Sequence, residues 1–226
     1  MRAPARVGRR VEHVRLLKSV PTSTVSGERV PIGSIWVQTG YRVAMPAHAR
    51  ERLVAAAEEL FYEEGIRAVG VERLLAVSGV GRASFYRHFP SKDDLILTML
   101  RGYDERFREW LAAAVAEAGD DPAALFDALA DRFDRSALRG CASIRTMIEF
   151  VDPGHPLHRA AVAHKEAVIA DLDRWLAAAG RADHAELAAQ FLLLIDGAIV
   201  SALRERGAAP AQRAKRMASA LLAAQA

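Results

Sequence analysis

Residues 65–92, GIRAVGVERLLAVSGVGRASFYRHFPSK, decide the fold. They read as a helix over Val71–Val77, a stop at Ser78-Gly79, a second helix over Arg82–His88 and a break at Phe89-Pro90. Glycine tolerates the left-handed geometry of a sharp helix exit, and proline disfavours helix in the residue before it. Ser91 stands where a side-chain oxygen caps the next helix, and Asp93 and Asp94 in its first turn suit the positive helix end. Two short helices joined by a tight glycine turn are the layout of a helix-turn-helix, a motif that mostly grips DNA.

Both flanks of this stretch are helical in pattern. Upstream, Leu53, Ala57, Leu60 and Phe61 recur on one face, and Gly65 ends that helix. Downstream, a long helix carries Leu100, Tyr103, Phe107, Trp110, Leu111 and Ala114 on one stripe. Gly119-Asp120-Asp121-Pro122 ends it and opens a helix bearing Leu125, Phe126, Leu129 and Phe133. A shorter helix follows over Cys141–Phe150, then the loop VDPGHP. A long helix starts at Pro156 with Leu157, Ala161, His164, Val168, Leu172, Trp175 and Leu176 on one face, and Gly180 stops it. Residues 185–203 are apolar nearly all round, the mark of a helix buried on several sides. A last helix covers Ala209–Ala224. No strand alternation and no internal repeat is present, so the expected fold is all-α with about nine helices.

The chain has 226 residues, 51% of them hydrophobic, with mean hydropathy +0.03, enough to bury a sizeable core. Its single cysteine, Cys141, excludes an intrachain disulfide and fits the reducing cytoplasm. No uninterrupted apolar run reaches the ~18 residues of a membrane span, so no membrane partner is expected, and no apolar block follows the basic N-terminus as a signal peptide requires. Net charge is +3 overall. Residues 1–44 carry eight basic and two acidic side chains, a net of +6, so the remainder carries −3. A basic isoelectric point is therefore weak evidence for nucleic acid here, and any DNA contact must come from locally placed charges. Residues 1–45 read as a disordered basic arm, or as translated upstream sequence ahead of a start at Met45.

Residues 50–95, RERLVAAAEELFYEEGIRAVGVERLLAVSGVGRASFYRHFPSKDDL, resemble the TetR family of transcriptional regulators. The resemblance rests on Ala57, Phe61 and Gly65, on Gly79-Val80 in the turn, and on Phe85-Tyr86-x-His88-Phe89-x-Ser91-Lys92-x-x-Leu95. GCASIRTMIEF, DPGHP and LLLIDGA in residues 140–200 resemble the C-terminal part of one branch more loosely. The chain departs from the family pattern at Gly70 and Gly81, which cap helices without a side-chain oxygen, and at Leu75, where a smaller residue is usual and the helix crossing should open slightly. The resemblance implies a helix-turn-helix domain over residues 46–92 and a larger helical effector-binding and dimerisation domain over 93–226.

In such a reading head the second helix lies in the major groove and presents Arg82, Ala83 and Ser84 to base edges. Arg82 suits a forked contact to guanine and Ala83 a thymine methyl. Arg87, His88 and Lys92 offer phosphate partners, and Tyr86, by resemblance, sits against the DNA backbone or an adjacent base. Phe85 and Phe89 read as core. The family implies a homodimer sealed by its last two helices, here through Leu187, Phe191, Leu194, Ile195, Ala198, Ile199 and Ala202; burial within one subunit is the other reading of those residues. It also implies a pocket for an unidentified small-molecule effector, with Phe107, Trp110, Phe126, Phe133, Met147, Phe150 and His164 as candidate walls. The function these features imply is a homodimeric repressor released from a palindromic operator on double-stranded DNA by a small, largely apolar effector. The alternative is a factor of the same fold that works without one.

Other chemistries fit poorly. Gly79-Val80-Gly81 follows a helix rather than a strand, which defeats a dinucleotide loop. His155, His158 and His164 lack the companion ligands of a metal site. Cys141 reads as a buried small apolar residue ahead of a redox thiol. No hydrolase elbow or zinc-protease motif is present, so neither an enzyme nor a cofactor is expected.

Overall fold

Among the residues that the computed structural model describes, 48–135 and 140–224, nine α-helices and one 3-10 turn make up the regular structure, with no strand. The expected all-α architecture is the one that forms. The expected N-terminal arm lies outside the described residues.

Helix α1 (Ala49–Glu64) buries Leu53, Ala57, Leu60 and Phe61, and ends where Gly65 takes φ +92° and closes its N–H on the Phe61 carbonyl. Helices α2 (Val71–Ser78) and α3 (Arg82–His88) follow, joined through Gly79 in the left-handed region at φ +64°. Gly70 and Gly81 cap them with no side-chain hydrogen bond, as expected. The cap of α4 (Lys92–Glu117) is stronger: Ser91 Oγ accepts from the Asp94 N–H at 3.2 Å, and Asp94 Oδ2 accepts from the Ser91 N–H at 3.0 Å. Such a reciprocal box is worth about 1 kcal/mol. Pro122 opens a single 3-10 turn, Pro122–Ala124, rather than α-helix directly, with Asp121 accepting from the Ala123 N–H. Then come α5 (Leu125–Arg135), α6 (Ala142–Glu149), α7 (Pro156–Ala178), α8 (His184–Glu205) and α9 (Ala209–Ala223).

Two apolar cores result. The first gathers α1 to α3 around Leu74, Phe85 and Phe89, and takes Leu95, Ile96, Met99 and Leu100 from the first half of α4. Ala142, Phe150 and Leu157 complete it from much later in the chain. Leu75 is half-buried at its edge. The second core gathers the far half of α4 with α5 and α7 to α9, around Leu111, Phe126, Leu172, Phe191 and Ile195. α4 thus belongs to both.

The packing of α8 supports the other reading of most of the expected seam residues, burial within one subunit. Leu187, Phe191, Ile195, Ala198, Ile199 and Ala202 face α7 and α9 of their own chain and are fully or nearly fully buried there, and Leu194 is half-buried. Of these side chains Leu194 alone keeps open surface within one subunit. The apolar side chains that the last two helices leave open are Leu193 (73% exposed), Val200, Leu203 and Met217. By length and composition α8 is apolar enough to cross a membrane. Its packing between two helices, with Asp196 bound by Lys165 at 2.5 Å, is that of a core helix.

Phe126, expected as a pocket wall, has no exposed surface and packs its ring 5.6 Å from that of Phe191. Phe126→Ala should therefore cost about 3–5 kcal/mol in urea unfolding; a loss under about 1 kcal/mol would contradict its place in the core.

Candidate nucleic-acid interface

Local chemistry sorts α3 into two faces. Phe85 and Phe89 point into the first core and are fully or nearly fully buried, as their apolar spacing implies. Arg82, Ala83 and Arg87 are exposed, Ser84 and His88 are half-buried, and Tyr86 is 48% exposed with its ring set edge-on to Phe85 at 5.1 Å. The helix therefore shows a short polar and cationic face whose side chains the core does not use. Arg87 donates to Ser84 Oγ at 3.0 Å, and Arg82 forms an ion pair with Glu72 on α2. Both Arg82 and Glu72 stand in solvent, where such a pair is worth at most about 1 kcal/mol. Exchanging it for a guanine edge costs little.

Lys92 is placed differently. Its ammonium turns inward, donates to the Ile66 carbonyl at 2.5 Å and lies 5.7 Å from the centre of the Phe61 ring. Burial lowers its pKa, against the pull of the Asp93 and Glu149 carboxylates. Lys92 holds the loop between α1 and α2 in this structure, so a phosphate would have to draw it away from Ile66.

Two residues outside the expected site complete that hold. Glu149, in the last turn of α6, accepts the Ile66 N–H at 3.0 Å and the Arg67 N–H at 2.7 Å. Arg145, one turn earlier, donates to the Phe61 and Tyr62 carbonyls at 2.9 and 2.7 Å. The Phe61 and Tyr62 carbonyls and the Ile66 and Arg67 N–H groups at the exit of α1 are thus met by a helix more than eighty residues away. No local sequence signal marks Arg145 or Glu149, because both partners are backbone atoms.

The seven candidate pocket residues do not form one wall. Phe107 lies with Trp110 at 5.6 Å and with His164 at 5.5 Å between ring centres. Phe126 and Phe133 sit in the same core, but Phe150 belongs to the first core, and Met147 is half-buried on α6. A narrow cleft lies elsewhere, lined by Phe61, Tyr62, Ile66, Met99, Ala142 and Arg145. The three histidines have separate roles: His155 caps α7 by accepting the Leu157 N–H, His158 Nδ1 bonds the Phe150 carbonyl, and His164 Nδ1 meets Asp104.

The family profile described as bacterial regulatory proteins, tetR family, matches residues 53–99, the span from α1 into α4. A solved TetR-family transcriptional regulator from Streptomyces coelicolor is 32% identical and superposes with TM-score 0.73 over 80% of this chain and 97% of its own. The chain belongs to the TetR family. It is a transcriptional regulator of that family, with a helix-turn-helix DNA-binding domain. The transcriptional repressor NemR of Escherichia coli K12 is 28% identical over 140 residues, 60% of this chain and 70% of NemR. The regulator TcmR of Streptomyces glaucescens is 32% identical over 106 residues, 47% of this chain and 44% of TcmR. The crystal structure of reduced NemR, 22% identical, shares the fold at TM-score 0.67 over 75% of this chain.

For this TetR-family regulator, the α6 hold on the reading head is directly measurable. Glu149→Gln should raise amide exchange at Ile66 and Arg67 by about 1.5–3 kcal/mol of lost protection, the worth of hydrogen bonds to a charged acceptor. Unchanged protection at both amides would remove Glu149 from the junction.

Proposed function

We propose that the chain is a cytoplasmic homodimeric repressor that binds a palindromic operator and is released from it by a small, largely apolar effector. The single observation that carries the DNA reading is the two-faced α3, with Phe85 and Phe89 spent on the core while Arg82, Ala83, Tyr86 and Arg87 stand free of it. Residues 46–92 act as the reading head, with Arg82, Ala83 and Ser84 at base edges and Tyr86, Arg87 and His88 along the backbone. Lys92 joins them once it leaves Ile66. The described residues beyond the arm are not basic enough to bind DNA by charge alone, so two half-sites about 34 Å apart supply the affinity.

The dimer is supported by the open apolar row of Leu193, Val200 and Leu203 on α8 with Met217 on α9. Residues 93–226 form the effector and dimerisation body. An apolar effector between α4 and α7 would have to part the ring-on-ring packing of Tyr103, Phe107, Trp110 and His164. Binding there biases α6, and through Arg145 and Glu149 it biases the tilt of the reading head.

Selection of bound fragments from random DNA tests the operator. A two-fold symmetric site is expected, and recovery of asymmetric sequences alone would sink the palindrome. On that site Arg82→Ala should relax one base position by about 1–3 kcal/mol, whereas Arg87→Ala should weaken all sequences alike and reduce the salt slope by about 1. Identical behaviour of the two variants would refute this division of roles.

Leu193→Glu should leave the helical fold intact, because the side chain is solvent-exposed in one subunit, and should convert the dimer to monomer in sedimentation velocity. A dimer unaffected by Leu193→Glu places the seam elsewhere.

A further inference from the structure

The lone cysteine does not sit among apolar neighbours only. Cys141 occupies the cap position of α6, 6% exposed, and Tyr103 of α4 brings its hydroxyl to 3.9 Å from the sulfur. His164 of α7 lies beside the same group, its ring 5.5 Å from that of Tyr103. Its Nδ1 is 2.7 Å from Asp104 Oδ1, and Asp104 is braced in turn by Arg108 at 3.7 Å. The other ring nitrogen, Nε2, is buried with no hydrogen-bond partner, in a side chain more than nine-tenths buried. An unpaired polar atom at that depth is costly and calls for an explanation. With the Nδ1 proton given to Asp104, Nε2 is left as an acceptor, and His164 is a side chain that favours the Cys141 thiolate.

Burial by itself raises the pKa of the thiol. The His164 imidazole, the Lys165 ammonium and the Ile144 backbone N–H outweigh it and bring Cys141 down from 9.0 to about 7. Burial pushes the Tyr103 phenol well above its ordinary value, so it stays protonated and donates to the sulfur. Tyr62, raised to about 12 chiefly by burial, also remains neutral. The groups around the sulfur are those of an activated thiol: a base, an orienting carboxylate, a hydroxyl donor and a helix N-terminus.

Access is narrow. Cys141 is nearly closed off from solvent and does not line the narrow cleft of Tyr62, Met99, Ala142 and Arg145 beside the first turn of α6. With the thiol only 6% exposed, a small oxidant is favoured over a bulky electrophile.

We propose that Cys141 is a peroxide-oxidised thiol, activated by the Asp104–His164 pair and Tyr103, whose oxidation loosens the grip of α6 on the reading head. The thiol proton passes to His164 Nε2. The thiolate electron pair then attacks one oxygen of hydrogen peroxide, an S–O bond forms and the O–O bond breaks. The departing hydroxide takes the proton from the His164 imidazolium and leaves as water. Sulfur loses two electrons and peroxide gains them, giving a sulfenic acid. As the only cysteine in the chain, Cys141 has no intrachain thiol to condense with, so the sulfenic acid persists until a soluble thiol reduces it. The added oxygen enters the space between Tyr103 and His164 and displaces the first turn of α6, the helix whose Arg145 and Glu149 hold the exit of α1. The regulatory consequence rests on the DNA-binding reading above; the chemistry at sulfur does not.

The test treats the full chain with hydrogen peroxide in the presence of dimedone and maps the adduct by peptide mass spectrometry. Cys141 should be labelled, Cys141→Ser should not, and Tyr103→Phe and His164→Gln should each slow labelling about tenfold or more with melting temperature held within a few degrees. A labelling rate equal to that of free cysteine, or insensitive to both substitutions, overturns the site, as does faster labelling by a bulky maleimide than by peroxide. Operator binding is read separately by fluorescence anisotropy. Oxidised protein should bind about tenfold more weakly and recover with dithiothreitol. Loss of affinity in the wild type but not in Cys141→Ser supports the coupling. Clean sulfenylation with unchanged affinity overturns the coupling alone, and absence of DNA binding before oxidation overturns the earlier reading instead.

Discussion

The arrangement depends on how the exit of α1 is satisfied. A helix end leaves carbonyls without partners, and the loop after it leaves N–H groups in the same state. Here Arg145 donates to the Phe61 and Tyr62 carbonyls, Glu149 accepts from Ile66 and Arg67, and Lys92 closes on the Ile66 carbonyl. Three side chains from α4 and α6 thereby take the place of water at the base of the reading head. Because both α6 contacts are charge-assisted and directional, a small shift of that helix cannot be absorbed without breaking hydrogen bonds.

That junction explains why the first core is not closed by α1 to α3 alone. Three helices of 16, 8 and 7 residues offer little apolar area, and the missing cover comes from α4 and from Ala142, Phe150 and Leu157. The same α4 stiffens the second core, so the two cores share one rigid element. On the outer side, α3 is free to display a cationic face because Phe85 and Phe89 alone satisfy its packing.

Much of this was legible in the sequence. Glycine and proline punctuation placed α2 and α3 almost to the residue, since turn geometry is a local property. Ser91 announced the α4 cap, although the sequence did not single out Asp94 as the reciprocal partner. Phe85 and Phe89 were separable from Arg82 and Arg87 by helical periodicity. The apolar run in α8 was legible as buried, but periodicity does not say buried against what. Leu187, Phe191 and Ile195 proved to be covered by α7 and α9, and Leu193, one step round the helix, is what remains open.

The sequence by itself determined the helices, their ends, the two faces of α3 and the family, because these follow from propensity, capping and spacing within a few residues. Only the tertiary structure decided what Lys92 touches, which α8 side chains stay open, and that Cys141, Asp104, His164 and Tyr103 share one cluster. The cluster draws Tyr103 and Asp104 from α4, Cys141 from the start of α6 and His164 from α7. Their meeting is a consequence of how α4, α6 and α7 cross, and a helix crossing is set by packing over the whole core rather than by any local run of residues.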